Sequence, residues 1–362
     1  MQEFTVLQRA LTLAGLAPAL LIGAGTHRDD LPADLTPPTY RVAVPPAPAP
    51  LPVFPAPAAL TTSIDALARD FGGVVGIAVR SLEWGWQVDA NADRRMPQQS
   101  VSKLWVAMTV LNARDEGRLT LDDPVTLTRD NLTVFHQPLA TLIVKNGMYQ
   151  TTVRELLLRA MQQSDNTAND TLLRLAGGPQ AVRAFIAEKG LGDIRFGPGE
   201  KLLQAKTAGL TWKPEYSMGR SFQQARAALP PAVRRAAFDA YVADPPDGAA
   251  PSAIALALAR LKAGEVLKPD SARWLMNVME GSHTGRMRLR GAVPPGWTFG
   301  HKTGTGQDLG GRTAGYNDVG ILTAPDGKAY TIAVMIGDTP RPIPQRQELM
   351  QAVVASIVAN HR

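Results

Sequence analysis

The chain contains no cysteine. This excludes disulfides, thiolate metal sites, a cysteine nucleophile and a lipidated cysteine together. Histidine is sparse too. His27, His136, His283, His301 and His361 stand far apart with no His-x-x-x-His pair, so no zinc site is expected. Charge of one sign is in modest excess, with a net +6, but Lys and Arg are scattered rather than gathered into a basic run. No aromatic-rich binding motif accompanies them, and nucleic acid is not an expected partner. Long hydrophobic runs are missing except at the N-terminus. There an apolar stretch over residues 10–25 follows Arg9; it is short for a membrane span and suits a secretory signal core. Glu3 weakens the basic start of such a signal, and an uncleaved anchor is the alternative reading.

Of the 362 residues, 45% are hydrophobic and 19% charged, the balance of a globular protein with a sizeable core. Residues 32–57 carry ten prolines, which rule out a helix or a central strand and favour an extended spacer. The organisation read from this is a signal peptide or anchor over 1–25, a Pro-rich linker over 26–60 and one folded domain over 61–362. Within the domain, a short helix is expected over 63–71 and two strands over 73–82 and 84–90. A long helix, apolar nearly all round in its first half, follows from about Ser100. Further helices are expected over 152–163, 167–176, 252–262 and 271–280. The C-terminal part returns to strands over 297–303, 313–323 and 329–337, with Asp326-Gly327 as a hairpin turn between the last two. A helix over 344–360 closes the chain. Strands at both ends around a helical middle predict an α/β domain: one antiparallel sheet built from both ends, flanked by helices, with an all-helical lobe.

Three short motifs carry chemistry. In Ser100-Val101-Ser102-Lys103, the hydroxyl and the amine fall on one helix face at i, i+3. The hydroxyl lies at the positive helix end, and a Lys in an apolar site is pushed towards the neutral amine that can act as its base. Helix capping is the bland alternative, but Lys103 does not fit the third position of a capping box. In Ser164-Asp165-Asn166, all three residues are also good caps; the functional reading has Ser164 passing a proton to a leaving nitrogen and Asn166 bonding a substrate amide. In Lys302-Thr303-Gly304, at the end of a strand, Gly304 permits close approach of another backbone or a ligand. Lys302 and Thr303 are suited to hold a carboxylate, and the N–H of Thr305 to face an oxyanion.

In order and spacing the three motifs resemble those of the class A serine β-lactamases and related penicillin-binding proteins. The resemblance covers about residues 61–362 and extends into SDNTANDTLLRLAGGPQAVRAFIAEKGL and TGRMRLRGAVPPGWTFGHKTG. It implies two more site residues: Glu200, 36 residues after Ser164, as the base that activates water for deacylation, and Arg288 as a further ligand for the substrate carboxylate. Phe135 and His136 fall near the family's aromatic pocket wall. The resemblance leaves open whether Lys103 or Glu200 is the acylation base. Gln204 stands where the family keeps Asn, the loop's usual Arg–Asp salt bridge is not evident, and residues 213–250 form an extra stretch with an expected helix over 231–243. The implied activity is hydrolysis of a β-lactam amide through an acyl-enzyme on Ser100, without metal or cofactor. The expected partner is a small β-lactam, and the protein is read as a periplasmic or secreted monomer, with an N-terminal membrane tether as the alternative to cleavage. A peptidoglycan D,D-peptidase and a β-lactam sensor acylated once are the competing readings.

Overall fold

The computed structural model describes residues 54–362. The expected signal segment and nearly all of the Pro-rich spacer lie outside the described residues. A five-stranded, wholly antiparallel sheet forms the spine of the domain. Its strands are β1 (Val74–Ser81), β2 (Gln87–Ala90), β3 (Thr298–Thr305), β4 (Tyr316–Thr323) and β5 (Ala329–Asp338), in the spatial order β2-β1-β5-β4-β3. The central pair therefore joins the first strand to the last, as a sheet made from both ends of the domain requires. Side-chain alternation divides its two faces. Val75, Ile77 and Val79 of β1, with Ile332, Val334 and Ile336 of β5, pack against helices α1 (Ala58–Phe71) and α8 (Ile343–Ala359). Ala78, Ala333 and Met335 point the other way, into the larger helical core.

That core is centred on α2 (Lys103–Asp115), in which every residue from Lys103 to Ala113 is buried and Trp105 is fully enclosed. Around it lie α3 (Asn166–Leu175), α6 (Pro251–Lys262) and α7 (Pro269–Glu280), contributing Leu172, Ile254, Leu258, Leu275 and Met279. Between α3 and α6 come α4 (Glu200–Thr207) and α5 (Pro231–Ala243). The helix expected over 231–243 forms with those bounds.

Three local differences from the expected elements have physical causes. Helix α1 starts at Ala58, directly after Pro57, because Leu60 continues the buried stripe of Ile64, Ala68 and Phe71 at helical spacing. The middle of the chain is not purely helical: Pro124–Leu127 pairs with Tyr149–Thr152 in a small ladder whose first strand alternates exposed and buried residues. The segment expected as one helix over 152–163 is α-helical only over Val153–Leu158 and widens into a π-turn over Arg159–Gln163. The wider turn ends on Ser164 at φ 60°, which turns its hydroxyl out of the helix line.

Candidate active site

The long buried helix does not begin at Ser100. A 3₁₀ turn, Gln99–Ser102, precedes α2 and carries the serine. In 3₁₀ geometry side chains at i and i+3 eclipse each other. This brings the Lys103 Nζ to 2.6 Å from the Ser100 Oγ, and the same amine donates to Asn166 Oδ1 at 2.8 Å. Lys103 is 1% exposed. Burial lowers its pKa, and the carboxylates of Glu200, Asp170 and Asp165 only partly offset that.

The second motif divides its labour. Asp165 is a structural cap: its carboxylate accepts the N–H of Ala168 at 2.9 Å and of Leu139 at 2.7 Å. Ser164 and Asn166, on either side, line the cleft instead. Asn166 also donates to the Val134 carbonyl at 2.8 Å, which fixes its oxygen towards Lys103.

The third motif closes the opposite wall. Lys302, wholly buried, donates to Ser164 Oγ at 3.0 Å and to the Thr303 carbonyl at 2.9 Å. Desolvation pushes its pKa well below the usual lysine value, and the nearby cations Lys103 and Arg288 push the same way. Gly304 lets β3 lie against the serine turn; a Cβ there would sit 2.3 Å from the Gln98 carbonyl oxygen and 3.2 Å from the Val101 nitrogen. Asn317 of β4 secures the same junction by donating to the Pro97 and Gln98 carbonyls at 2.7 and 3.1 Å.

Ser100, Ser164, Asn166, Glu200, Arg288, Thr303 and Thr305 all line one cleft of about 640 Å³, and Phe135 and His136 lie on its rim. Phe135 packs edge-on against Phe222 at 4.9 Å. Arg288 is buried behind the β3 wall of the cleft. Its guanidinium lies 3.8 Å from the Tyr316 ring centroid and donates to the Gly304 and Asn317 carbonyls and to Thr305 Oγ1. Glu200, at the start of α4, is buried and accepts from Gln204 Nε2 at 3.1 Å. Its backbone N–H is held by Asp170 at 3.1 Å.

Sequence reasoning misses several residues that shape this cleft. Asp170 anchors the Glu200 turn from α3, one helical turn beyond Asn166, a spacing that marked it as facing the same way. Burial, and next the charge of Glu200, raise its pKa to about 6. Gln99, Tyr241, Asp247 and Gln307 form a buried polar cluster beside Glu200 and Gln204, and no local motif announces them. Arg226, from Ser221–Ala228, also lines the cleft.

Fold and cleft together define a serine acyl-hydrolase. The model of the β-lactamase enzyme family matches residues 59–361, and the chain belongs to that family. It is 25% identical over 299 residues to β-lactamase VEB-1 of Pseudomonas aeruginosa, covering 82% of this chain and 87% of that one. The carbapenem-hydrolyzing β-lactamase KPC of Klebsiella oxytoca is 28% identical, covering 80% of this chain and 85% of its own. Among solved structures, a β-lactamase from Chitinophaga pinensis superposes with a TM-score of 0.69 at 26% identity, over 84% of this chain and 99% of that one. The TLA-3 extended-spectrum β-lactamase gives 0.68 at 26%, over 82% and 96%. The protein is thus a class A serine β-lactamase, a hydrolase of the β-lactam amide.

Proposed function

We propose that Ser100 is the nucleophile, and that the residues of the three motifs carry the two halves of the reaction. The carrying observation is the pair of buried lysines, each on a serine hydroxyl in one cleft: Lys103 on Ser100 and Lys302 on Ser164. Ser100 Oγ attacks the lactam carbonyl carbon, and its proton leaves to Lys103, or through a water to Glu200. The N–H groups of Ser100 and Thr305 take the developing oxyanion. As the C–N bond breaks, Ser164 gives its proton to the ring nitrogen and is reprotonated from the lysine side. The substrate carboxylate lies against Lys302, Thr303 and Thr305, with Arg288 held behind Thr305, while Gly304 lets their strand close on the serine turn. Asn166 has an amide hydrogen to offer the substrate's side-chain carbonyl. Whichever group took the Ser100 proton passes it on towards Ser164, so Glu200 is again a carboxylate. It then draws a proton from water as the water attacks the ester carbonyl, the acyl C–O bond to Ser100 breaks, and that proton returns to the Ser100 oxygen.

No metal or cofactor enters this scheme. Residues 1–25 are read as a signal or anchor and 26–60 as a spacer, supported by the apolar stretch after Arg9 and the ten prolines. On that reading the enzyme works as a monomer in the periplasm or outside the cell. Among the described residues no helix is long and apolar enough to cross a membrane. The test of the nucleophile is Ser100→Ala. It is expected to lose covalent labelling by a fluorescent penicillin and at least a thousandfold of nitrocefin turnover, about 4 kcal/mol of transition-state stabilisation. Undiminished labelling of the variant would move the nucleophile elsewhere. Stable labelling of the wild type without turnover, with release of D-Ala from a peptide, would favour the D,D-peptidase reading.

A further inference from the structure

Gln99 immediately precedes the proposed nucleophile and holds φ at 53°, a left-handed conformation that is strained for a non-glycine residue. Its surroundings hold it there. The backbone N–H donates to Asp247 Oδ2 at 2.8 Å, and the side-chain Nε2 donates to the Tyr241 hydroxyl at 2.6 Å. Its Oε1 accepts from Gln204 Nε2 at 3.0 Å. Tyr241 comes from α5, in the stretch over 213–250 that the three motifs leave unexplained, and its buried ring packs in a cluster with Leu203 and Phe238.

The direction of these bonds is forced. Asp247 Oδ2 accepts the Gln99 N–H, and while the carboxyl is ionised it can only accept from the Tyr241 hydroxyl 3.2 Å away as well. Tyrosine has one proton to give. With that proton committed to Asp247, the Tyr241 oxygen must accept from Gln99. This orients the Gln99 amide with nitrogen towards Tyr241 and oxygen towards Gln204. Gln204 must then turn its own nitrogen to Gln99 and Glu200, and its oxygen to Gln307 Nε2 at 2.8 Å. A reversed Gln204 would set an amide oxygen against the Glu200 carboxylate, acceptor against acceptor.

We propose that Tyr241 is a positioning residue for deacylation, fixing through Gln99 the direction of the Gln204 amide that holds Glu200. This rests on the reading of Glu200 as the deacylating base. The hydroxyl, rather than the ring, does the orienting, so Tyr241→Phe keeps the packing and removes only the directional bond. Only the longer bond from Gln99 Nε2 to the Ala314 carbonyl at 3.4 Å then keeps the Gln99 amide in this direction, and a reversed Gln99 sets its nitrogen against that of Gln204 and disturbs the bond to Glu200. With deacylation limiting, kcat and KM fall together, each on the order of tenfold, and kcat/KM stays at the wild-type value. The acyl adduct accumulates in intact-mass spectra during turnover. Gln99→Met, which keeps length and flexibility but has no amide, gives the same signature, and the double variant is no slower than Gln99→Met alone. Circular dichroism confirms that each variant is folded. Unchanged kcat in both variants, a fall in kcat/KM without adduct accumulation, or additive losses in the double variant would each overturn the proposal. Glu200→Ala run in parallel separates the two readings. If it stalls as an adduct while Tyr241→Phe deacylates normally, only the role of Tyr241 is lost. If it turns over like wild type, the Glu200 reading itself is lost.

Discussion

At the residue scale, the cleft gathers ionisable groups in places where water cannot solvate them. Lys103 and Lys302 are buried beside hydroxyls, and burial depresses both amines. Asp170 and Asp247 are buried carboxyls, each with its pKa raised to about 6, chiefly by desolvation. A carboxyl whose folded-state pKa lies above its unfolded value stabilises the fold while protonated. That contribution is complete below about pH 3.8 and is lost as pH rises through 6. Asp247→Asn keeps an oxygen for the Gln99 N–H and removes the titration. The melting temperature of this variant relative to wild type is therefore expected to climb by roughly 5 °C between pH 4 and pH 7. A difference that stays flat with pH, in a thermal-shift series, would show that Asp247 does not carry this linkage. The motif residues Ser100, Lys103, Ser164 and Lys302 are legible in the sequence because each lies in a short contiguous signature. Gln99, Tyr241 and Asp247 are not. Their hydrogen bonds span 142 and 148 positions, and neither periodicity nor spacing encodes a contact across that distance.

At the element scale, the site depends on two departures from regular structure. The 3₁₀ turn before α2 stacks Lys103 directly on Ser100, and the π-turn before Ser164 presents that hydroxyl to Lys302. Neither is visible in hydrophobic periodicity, which reads both segments as plain helix, because a single tightened or widened turn barely shifts the buried stripe. The junction of β3 with the serine turn is the third such feature, and here the sequence does signal it through Gly304. Gly304→Ala would force a Cβ within 2.3 Å of the Gln98 carbonyl, which is backbone and cannot swing aside. The expected cost is about 1–3 kcal/mol of stability in urea unfolding, with slowed acylation as the serine turn shifts. Wild-type stability and acylation rate in this variant would mean that the strand and the turn move apart freely.

At the scale of the whole molecule, the domain brings together groups from distant parts of the chain. Ser100 enters from the start of the helical core, Ser164 from its middle, Glu200 from α4 and Lys302 from the strand at the edge of the sheet. The sheet built from both ends of the domain is legible because alternating strands bracket a helical middle. The path over 213–250 is not, since it is tied to the rest by contacts between distant positions, such as Tyr241 on Gln99, Phe222 on Phe135 and Arg226 on the Asp308 carbonyl. In the proposed mechanism an ester forms on Ser100 and is released through Glu200. The most direct test is intact-mass spectrometry of Glu200→Ala mixed with excess benzylpenicillin, followed by peptide mapping. An adduct of one penicillin mass is expected on the peptide bearing Ser100, persisting for minutes or longer while the wild type clears its own within the mixing time. A variant that clears its adduct as fast as wild type, or an adduct on any other residue, would contradict that mechanism.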